Sequence, residues 1–179
     1  MDEARLRETE HGLVPEGEGW FIANPRDLAW ETIDGSGTWC AFGAPEEEGR
    51  SIGIGMHVLQ PGEASAMYHA EDAQEGFMIL EGECLLVVEG DERLMKQWDY
   101  FHCPPGTEHI TVGAGDGPCA ILMLGARIPG RPIRYPVNEV AAKYGASVEH
   151  ETTSPREAYA GSPPPRPACA PWPDEPDSR

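Results

Sequence analysis

The stretch Pro61-Gly62-Glu63-Ala64-Ser65-Ala66-Met67-Tyr68-His69-Ala70-Glu71-Asp72-Ala73-Gln74-Glu75-Gly76-Phe77-Met78-Ile79-Leu80-Glu81-Gly82, followed by Pro104-Pro105-Gly106-Thr107-Glu108-His109, decides the fold. Each part is a Pro/Gly turn that delivers a histidine, and an apolar run from Phe77 to Val88 lies between them. On an extended strand His69 and Glu71 share one face, because side chains repeat every second residue. The short loop Asp72–Gln74 can turn Glu75 back toward that pair, and His109 must arrive from a separate hairpin. Two imidazoles with one or two carboxylates outline a metal site. Neutral imidazole and carboxylate oxygen suit one divalent transition metal (Fe, Mn, Ni or Zn), and two His with one carboxylate is the non-haem iron pattern.

Outward from this stretch the chain reads as strands. In Ser51–Gln60, Ile52, Ile54, Met56 and Val58 alternate with Gly53, Gly55, His57 and Leu59, a period of two that marks a pleated strand with unlike faces. Further short apolar runs, bounded by Gly, Pro or Asp, fall at Leu28–Ile33, Thr38–Phe42, Gly76–Leu80, Cys84–Val88, Leu94–Lys96, Tyr100–Cys103, Ile110–Val112 and Cys119–Leu124. Many strands without intervening helices predict an all-β antiparallel sandwich or barrel. Val137, Val140, Ala141 and Tyr144 then repeat at helical spacing, with Asn138 as N-cap and Gly145 as the stop. The boundaries that follow are a polar N-terminal arm over 1–25, a barrel over 26–130, a helical segment over 131–150 and a Pro-rich tail over 151–179. Ser154-Pro155 opens a second short helix in that tail, and Trp172 is its candidate anchor.

The motif spacing resembles the cupin superfamily. Its first motif runs Gly, five residues, His-x-His, three or four residues, Glu, six residues, Gly. Here the order is Gly62, six residues, His69-x-Glu71, three residues, Glu75, six residues, Gly82. Its second motif runs Gly, five residues, Pro-x-Gly-x-x-His, three residues, Asn, and here Trp98, Pro104-x-Gly106-x-x-His109 and Gly113 occupy those places. The resemblance implies a double-stranded β-helix, or jelly-roll, barrel with His69, Glu75 and His109 as metal ligands. Glu71 stands where the family's second histidine is expected, either as a fourth ligand or as a group that acts on a ligand histidine. The registers differ by the usual rule that a one-residue slip flips every side chain. The one that places His69 at the first ligand position also puts Glu75 and Gly82 in their places.

His102 and Cys103 adjoin on one strand, so one faces the interior and the other outward. His102 facing inward is the candidate catalytic acid or base. Facing outward, it is a strand histidine on a dimer face. His57 shares its face with Gly53, Gly55 and Leu59 and is the lesser candidate. The cysteines Cys84, Cys103 and Cys119 have no zinc-type spacing.

The bulk properties bound the function. The 179 residues fit one domain, and the formal charge of -18 disfavours nucleic acid and anionic membrane as partners. Met1 to Gly12 lacks the apolar stretch of a signal peptide, no run is long enough to span a membrane, and five cysteines without a CxxC pair fit a reducing cytoplasm. No phosphate loop, GxSxG elbow or HExxH helix occurs. The expected protein is therefore a cytoplasmic homodimer, its apolar barrel edge covered by a second copy. It is read as a metal-dependent enzyme on a small organic substrate, dioxygenase-like or an isomerase or decarboxylase. The alternative is a non-catalytic small-molecule-binding or sensor barrel with a structural metal or none.

Overall fold

The computed structural model describes residues 1–43 and 51–172; residues 173–179 of the expected Pro-rich tail lie outside them. The chain opens with a hairpin of β1 (Arg5–Thr9) and β2 (Gly12–Glu16), closed at Thr9 and Gly12. Sequence had suggested only a polar arm here. The strand signal is masked because the hairpin is charged on its open side, where Arg7 pairs with Glu16, and sticky only through residues such as Leu13. Next come β3 (Trp30–Ile33), β4 (Gly37–Ala41), β5 (Ile52–Leu59) and the two-residue β6 (Ala70–Glu71). The central meander is β7 (Glu75–Glu81), β8 (Glu83–Val88), β9 (Asp91–Lys96) and β10 (Tyr100–Cys103). It continues into β11 (His109–Ala114), β12 (Cys119–Ala126) and β13 (Ile133–Arg134). Two one-turn helices, α1 (Glu139–Ala142) and α2 (Pro155–Ala158), precede β14 (Arg166–Ala168).

The ladders are antiparallel. A seven-stranded sheet runs β10-β7-β12-β5-β4-β3-β14, and a three-stranded sheet runs β11-β8-β9. A two-stranded pair, β13-β6, is tied to β11 through the bridge between His69 and His109. This is a jelly-roll cupin fold. Alternation decides what fills it. Leu59 on β5, Phe77 and Ile79 on β7, Cys84 and Leu86 on β8, and Cys119 and Ile121 on β12 form one buried cluster between the two sheets. Each fully buried Ile or Leu there contributes roughly 1.5–3 kcal/mol.

The opposite parity is not wasted on solvent. Met56, Val58, Cys40 and Trp30 point out of the large sheet, where Leu13 of the arm and Ala168 and Trp172 of the tail cover them. Trp30 and Trp172 meet edge to face with centroids 5.2 Å apart. The tail is therefore a docked element: β14 pairs with β3, and Pro167 is tolerated because the strand lies on the sheet edge. On the other sheet, Val87, Ile110 and Val112 point outward beneath Tyr68, Ala141 and Ala146. Asn138 caps α1 by accepting from the backbone N–H groups of Val140 and Ala141, as its sequence spacing predicts.

Three motif positions show how the turns are made. Gly82 joins β7 to β8 at φ 73°, and a Cβ there would overlap the Pro118 carbonyl. Trp98, which stands where the family motif has glycine, also adopts a left-handed φ of 74° and is 67% exposed. Gly62 has φ 88° but faces open space. Gly62→Ala should therefore cost only the left-handed penalty of about 1–2 kcal/mol. Gly82→Ala should cost more, roughly 2–4 kcal/mol, because backbone must also shift. Urea unfolding of the two variants side by side checks this; equal losses would contradict it.

Candidate metal centre

The site is built on one backbone bridge. The His69 N–H donates to the His109 carbonyl at 3.2 Å, and the His109 N–H returns a bond to the His69 carbonyl at 2.9 Å. This pairing sets the two imidazole rings side by side, with centroids 4.8 Å apart. Each ring is then oriented by a carbonyl two residues earlier. His69 Nδ1 lies 2.7 Å from the Met67 carbonyl, and His109 Nδ1 lies 3.1 Å from that of Thr107. A carbonyl only accepts, so both Nδ1 atoms carry the proton and both Nε2 atoms present a lone pair. Glu75, at the start of β7, supplies the carboxylate. One ligand atom from each of His69, Glu75 and His109 lies within 4.8 Å of the others.

The chemistry of this donor set fits a metal ion. Glu75 Oε2 is buried and has no hydrogen-bond partner, an expensive state for a carboxylate. It lies 3.5 Å from His109 Nε2. That contact is not an ion pair, because both groups are driven toward their neutral forms. Burial, and then the charge of Glu71, push Glu75 up to about 7. Burial, and then His69, push His109 down to about 4, and burial lowers His69 as well. A cation among them would satisfy the orphan oxygen and both lone pairs together, and a divalent ion with bonds of about 2.0–2.2 Å could do so after small side-chain rotations.

Glu71 is placed differently. Its carboxylate is clamped by Arg131, with Nε donating at 2.6 Å to Oε2 and Nη2 at 3.0 Å to Oε1. Both oxygens are thereby used, and Glu71 stands beside the three-residue cluster, not within it. His102 requires a correction: it is exposed on β10, while Cys103 is the buried residue. The pairing of Cys103 with Glu75 across the β10–β7 ladder turns the thiol inward, where Sγ lies 3.5 Å from His109 Nδ1. Burial pushes that thiol up to about 12, so it stays protonated.

One lesser candidate and one unread feature complete the surroundings. His57 lines the same inner chamber of about 100 Å³ as His69, Glu75 and His109. Its Nε2 lies 2.7 Å from the Ser36 carbonyl, so Nε2 carries the proton and Nδ1 is left as an acceptor; burial lowers it to about 4. Its inward parity was visible in the sequence, but its neighbours were not. Arg127 and Arg131 line an adjoining outer cavity of about 240 Å³ together with Glu71, Glu75, His57 and Trp39. They lie beyond both motifs and carried no spacing signal.

Residues 55–125 match the family model for the cupin domain, so this part of the chain is similar to cupins. Among solved structures it is similar to a protein from Acidithiobacillus ferrooxidans, provisionally named a sugar phosphate isomerase. That match has 24% identity and a TM-score of 0.50, covering 57% of this chain and 67% of that one. A cupin-superfamily sugar phosphate isomerase from Silicibacter pomeroyi matches at 27% identity and a TM-score of 0.48, covering 56% and 65%. A cupin-like protein from Thermotoga maritima matches at 16% identity and a TM-score of 0.51, covering 67% of this chain and 90% of that one. No curated protein matches the chain. The Acidithiobacillus and Thermotoga likenesses support the fold and leave the reaction open.

The titrations make a signed prediction for the metal-free protein. Between about pH 4.5 and 7 folded Glu75 keeps a proton that the unfolded chain has released, so stability from this group falls as pH rises through that window. The buried histidines act oppositely: stability is lost as pH falls from 6.5 toward about 4, because the unfolded chain takes up protons first. Glu75→Gln removes only the first effect. Relative to wild type, metal-free Glu75→Gln should gain about 1–3 kcal/mol on going from pH 4.5 to about pH 8. Urea unfolding at both pH values checks this, and no gain would mean that Glu75 is charged in the folded state.

Proposed function

We propose that this cupin is a metal-dependent enzyme acting on a small organic substrate, with one divalent transition metal held by His69, Glu75 and His109. The observation that carries the reading is the buried, unpartnered Glu75 Oε2 among two imidazoles whose Nδ1 atoms are both committed to carbonyls. Such a metal would act as a Lewis acid on a substrate oxygen, supporting isomerisation or decarboxylation, or, if it is iron, would support dioxygenase chemistry. We favour a dioxygenase-like reaction because two histidines and one carboxylate leave positions open toward the cavity.

The chain's own residues supply the remainder. Phe77 and Met123 give the inner chamber an apolar wall that keeps bulk water out, and Trp39 extends the apolar lining of the outer cavity. The Nδ1 of His57 is a candidate proton acceptor near neutral pH. Glu71, held by Arg131, acts on the electrostatics of the ligands. Exposed Leu94, Trp98 and Tyr100 near the free β10 edge support a homodimer through that edge. Among the described residues no helix is long and apolar enough to cross a membrane, and the five free cysteines support a reducing cytoplasm.

The test is metal content by elemental mass spectrometry on protein purified without added metal. Wild type should hold near-stoichiometric iron, manganese, nickel or zinc, and His69→Ala and His109→Ala should lose it. Glu71→Gln should keep the metal with roughly 10- to 100-fold weaker affinity, as for a group that supports a ligand. Little metal in wild type even after reconstitution would leave the non-catalytic binding barrel. Retention in both histidine variants would mean that other residues bind it.

A further inference from the structure

The outer cavity carries a cation that the metal reading does not use. In this acidic chain the arginines mostly have acidic partners: among the described residues Arg7, Arg93, Arg131, Arg134 and Arg166 each form an ion pair. Arg127, at the end of the β12 edge of the cavity, forms none with a described residue. It is exposed to solvent on one side. It lies against Gly53, in the space that any larger residue's Cβ would fill. The missing side chain at Gly53 thus makes a floor on which the planar group rests, facing the same cavity as Glu75.

Charge bookkeeping gives this placement a direction. Arg131 is cancelled by its two bonds to Glu71. If Glu75 is engaged by a divalent cation, the cavity keeps a net positive charge to which Arg127 contributes. A formal charge of -18 over the whole chain repels anions from most of the surface, so a local positive mouth selects them. Besides the arginines, Glu71, Glu75 and His57, the lining is largely apolar, with Trp39, Ile54 and Met123. A volume of about 240 Å³ admits a molecule of only a few carbon atoms.

We propose that Arg127 is an anion-recognition residue, and that the cavity takes a small organic acid whose terminal oxyanion, a carboxylate or a phosphate monoester, meets the Arg127 fork while its body runs inward toward Glu75. A planar guanidinium matches both oxyanions through paired N–H donors. The proposal deepens the metal-enzyme reading by naming its substrate class, and the anion contact itself does not require the metal.

The test is calorimetric titration of the full chain, metal-loaded and metal-free, with lactate and glycerol 3-phosphate and with their uncharged counterparts lactamide and glycerol. At least one charged probe should bind more tightly than its neutral counterpart. Arg127→Gln should weaken that binding about tenfold or more while leaving metal content unchanged. Gly53→Ala, which keeps the charge but displaces the guanidinium, should also weaken it, and Arg127→Lys should restore only part. Preference for lactate assigns a carboxylate, and preference for glycerol 3-phosphate assigns a phosphate. Equal binding of charged and neutral probes, no binding of either charged probe, or full affinity in Arg127→Gln would overturn the proposal. Metal-free His69→Ala separates the two readings. Arg127-dependent binding that persists there, in a protein whose wild type holds no metal, keeps the anion site and removes the metalloenzyme. Metal binding without anion preference does the reverse.

Discussion

The pair of reciprocal backbone hydrogen bonds between His69 and His109 is the constraint on which the site depends. It joins two segments that are forty residues apart in sequence but adjoin in space, and it fixes both imidazoles with a single register. A slip of one residue would replace a histidine by Tyr68 or Ala70 on the inner face. Several contacts hold that register from outside. The Tyr68 N–H donates to the Ala146 carbonyl, and Tyr68 Oη accepts from the Gly90 N–H at 3.1 Å. The Gly106 N–H donates to the Glu71 carbonyl, which ties the Pro-Gly turn before His109 to the strand after His69. The covering segments thus serve the chemistry as well as the core.

Inside the barrel, polarity is divided along its length. One end is closed by Leu59, Ile79, Leu86 and Ile121, and the other holds His57, His69, Glu75, His109 and Thr111. Phe77 is the boundary: it stacks on Phe101 with centroids 5.9 Å apart and meets His109 at 5.3 Å. The apolar end anchors the strands, so the ligand side chains project from rigid backbone. The same burial makes the site costly without a cation, since it drives a carboxylic acid and three imidazoles toward neutrality in one small chamber. Stability conceded at the site is recovered in the packed half, a common arrangement for a functional centre.

Much of this could be read from the sequence, and the reasons are local. Period-two alternation gives strand positions directly, so β5, β7, β8 and β12 were visible, and with them the two unlike faces of β5. Turn chemistry at Gly82 and Pro104-Pro105-Gly106 is equally local, as are the caps at Asn138 and Ser154. The unread parts depend on distance in space. Whether His102 or Cys103 faces inward rests on which of them pairs with Glu75 on β7, and parity alone is symmetrical between them. Arg131 meets Glu71 across sixty residues of chain, and Arg127 shows its role only once Gly53 lies beneath it. The hairpin within the arm escaped notice because a charged pair of strands with one sticky face has little periodic signal.

The docking of the tail has a consequence for the order in which the protein matures. Tyr159 Oη accepts from the Met67 N–H at 3.1 Å, and Met67 is the residue whose carbonyl orients His69. That contact closes a span of 92 residues, and the Arg166–Asp34 pair that flanks β14 closes one of 132. Long closures form late in a β-rich chain, because their entropy must be met before their contacts can form. The barrel can therefore collapse around its apolar end while the His69 segment is still loosely held. The His69 side of the cluster becomes rigid only when the segment around Tyr159 has emerged, so a metal held there, as proposed, would be captured at a closing step of folding and not at its nucleus.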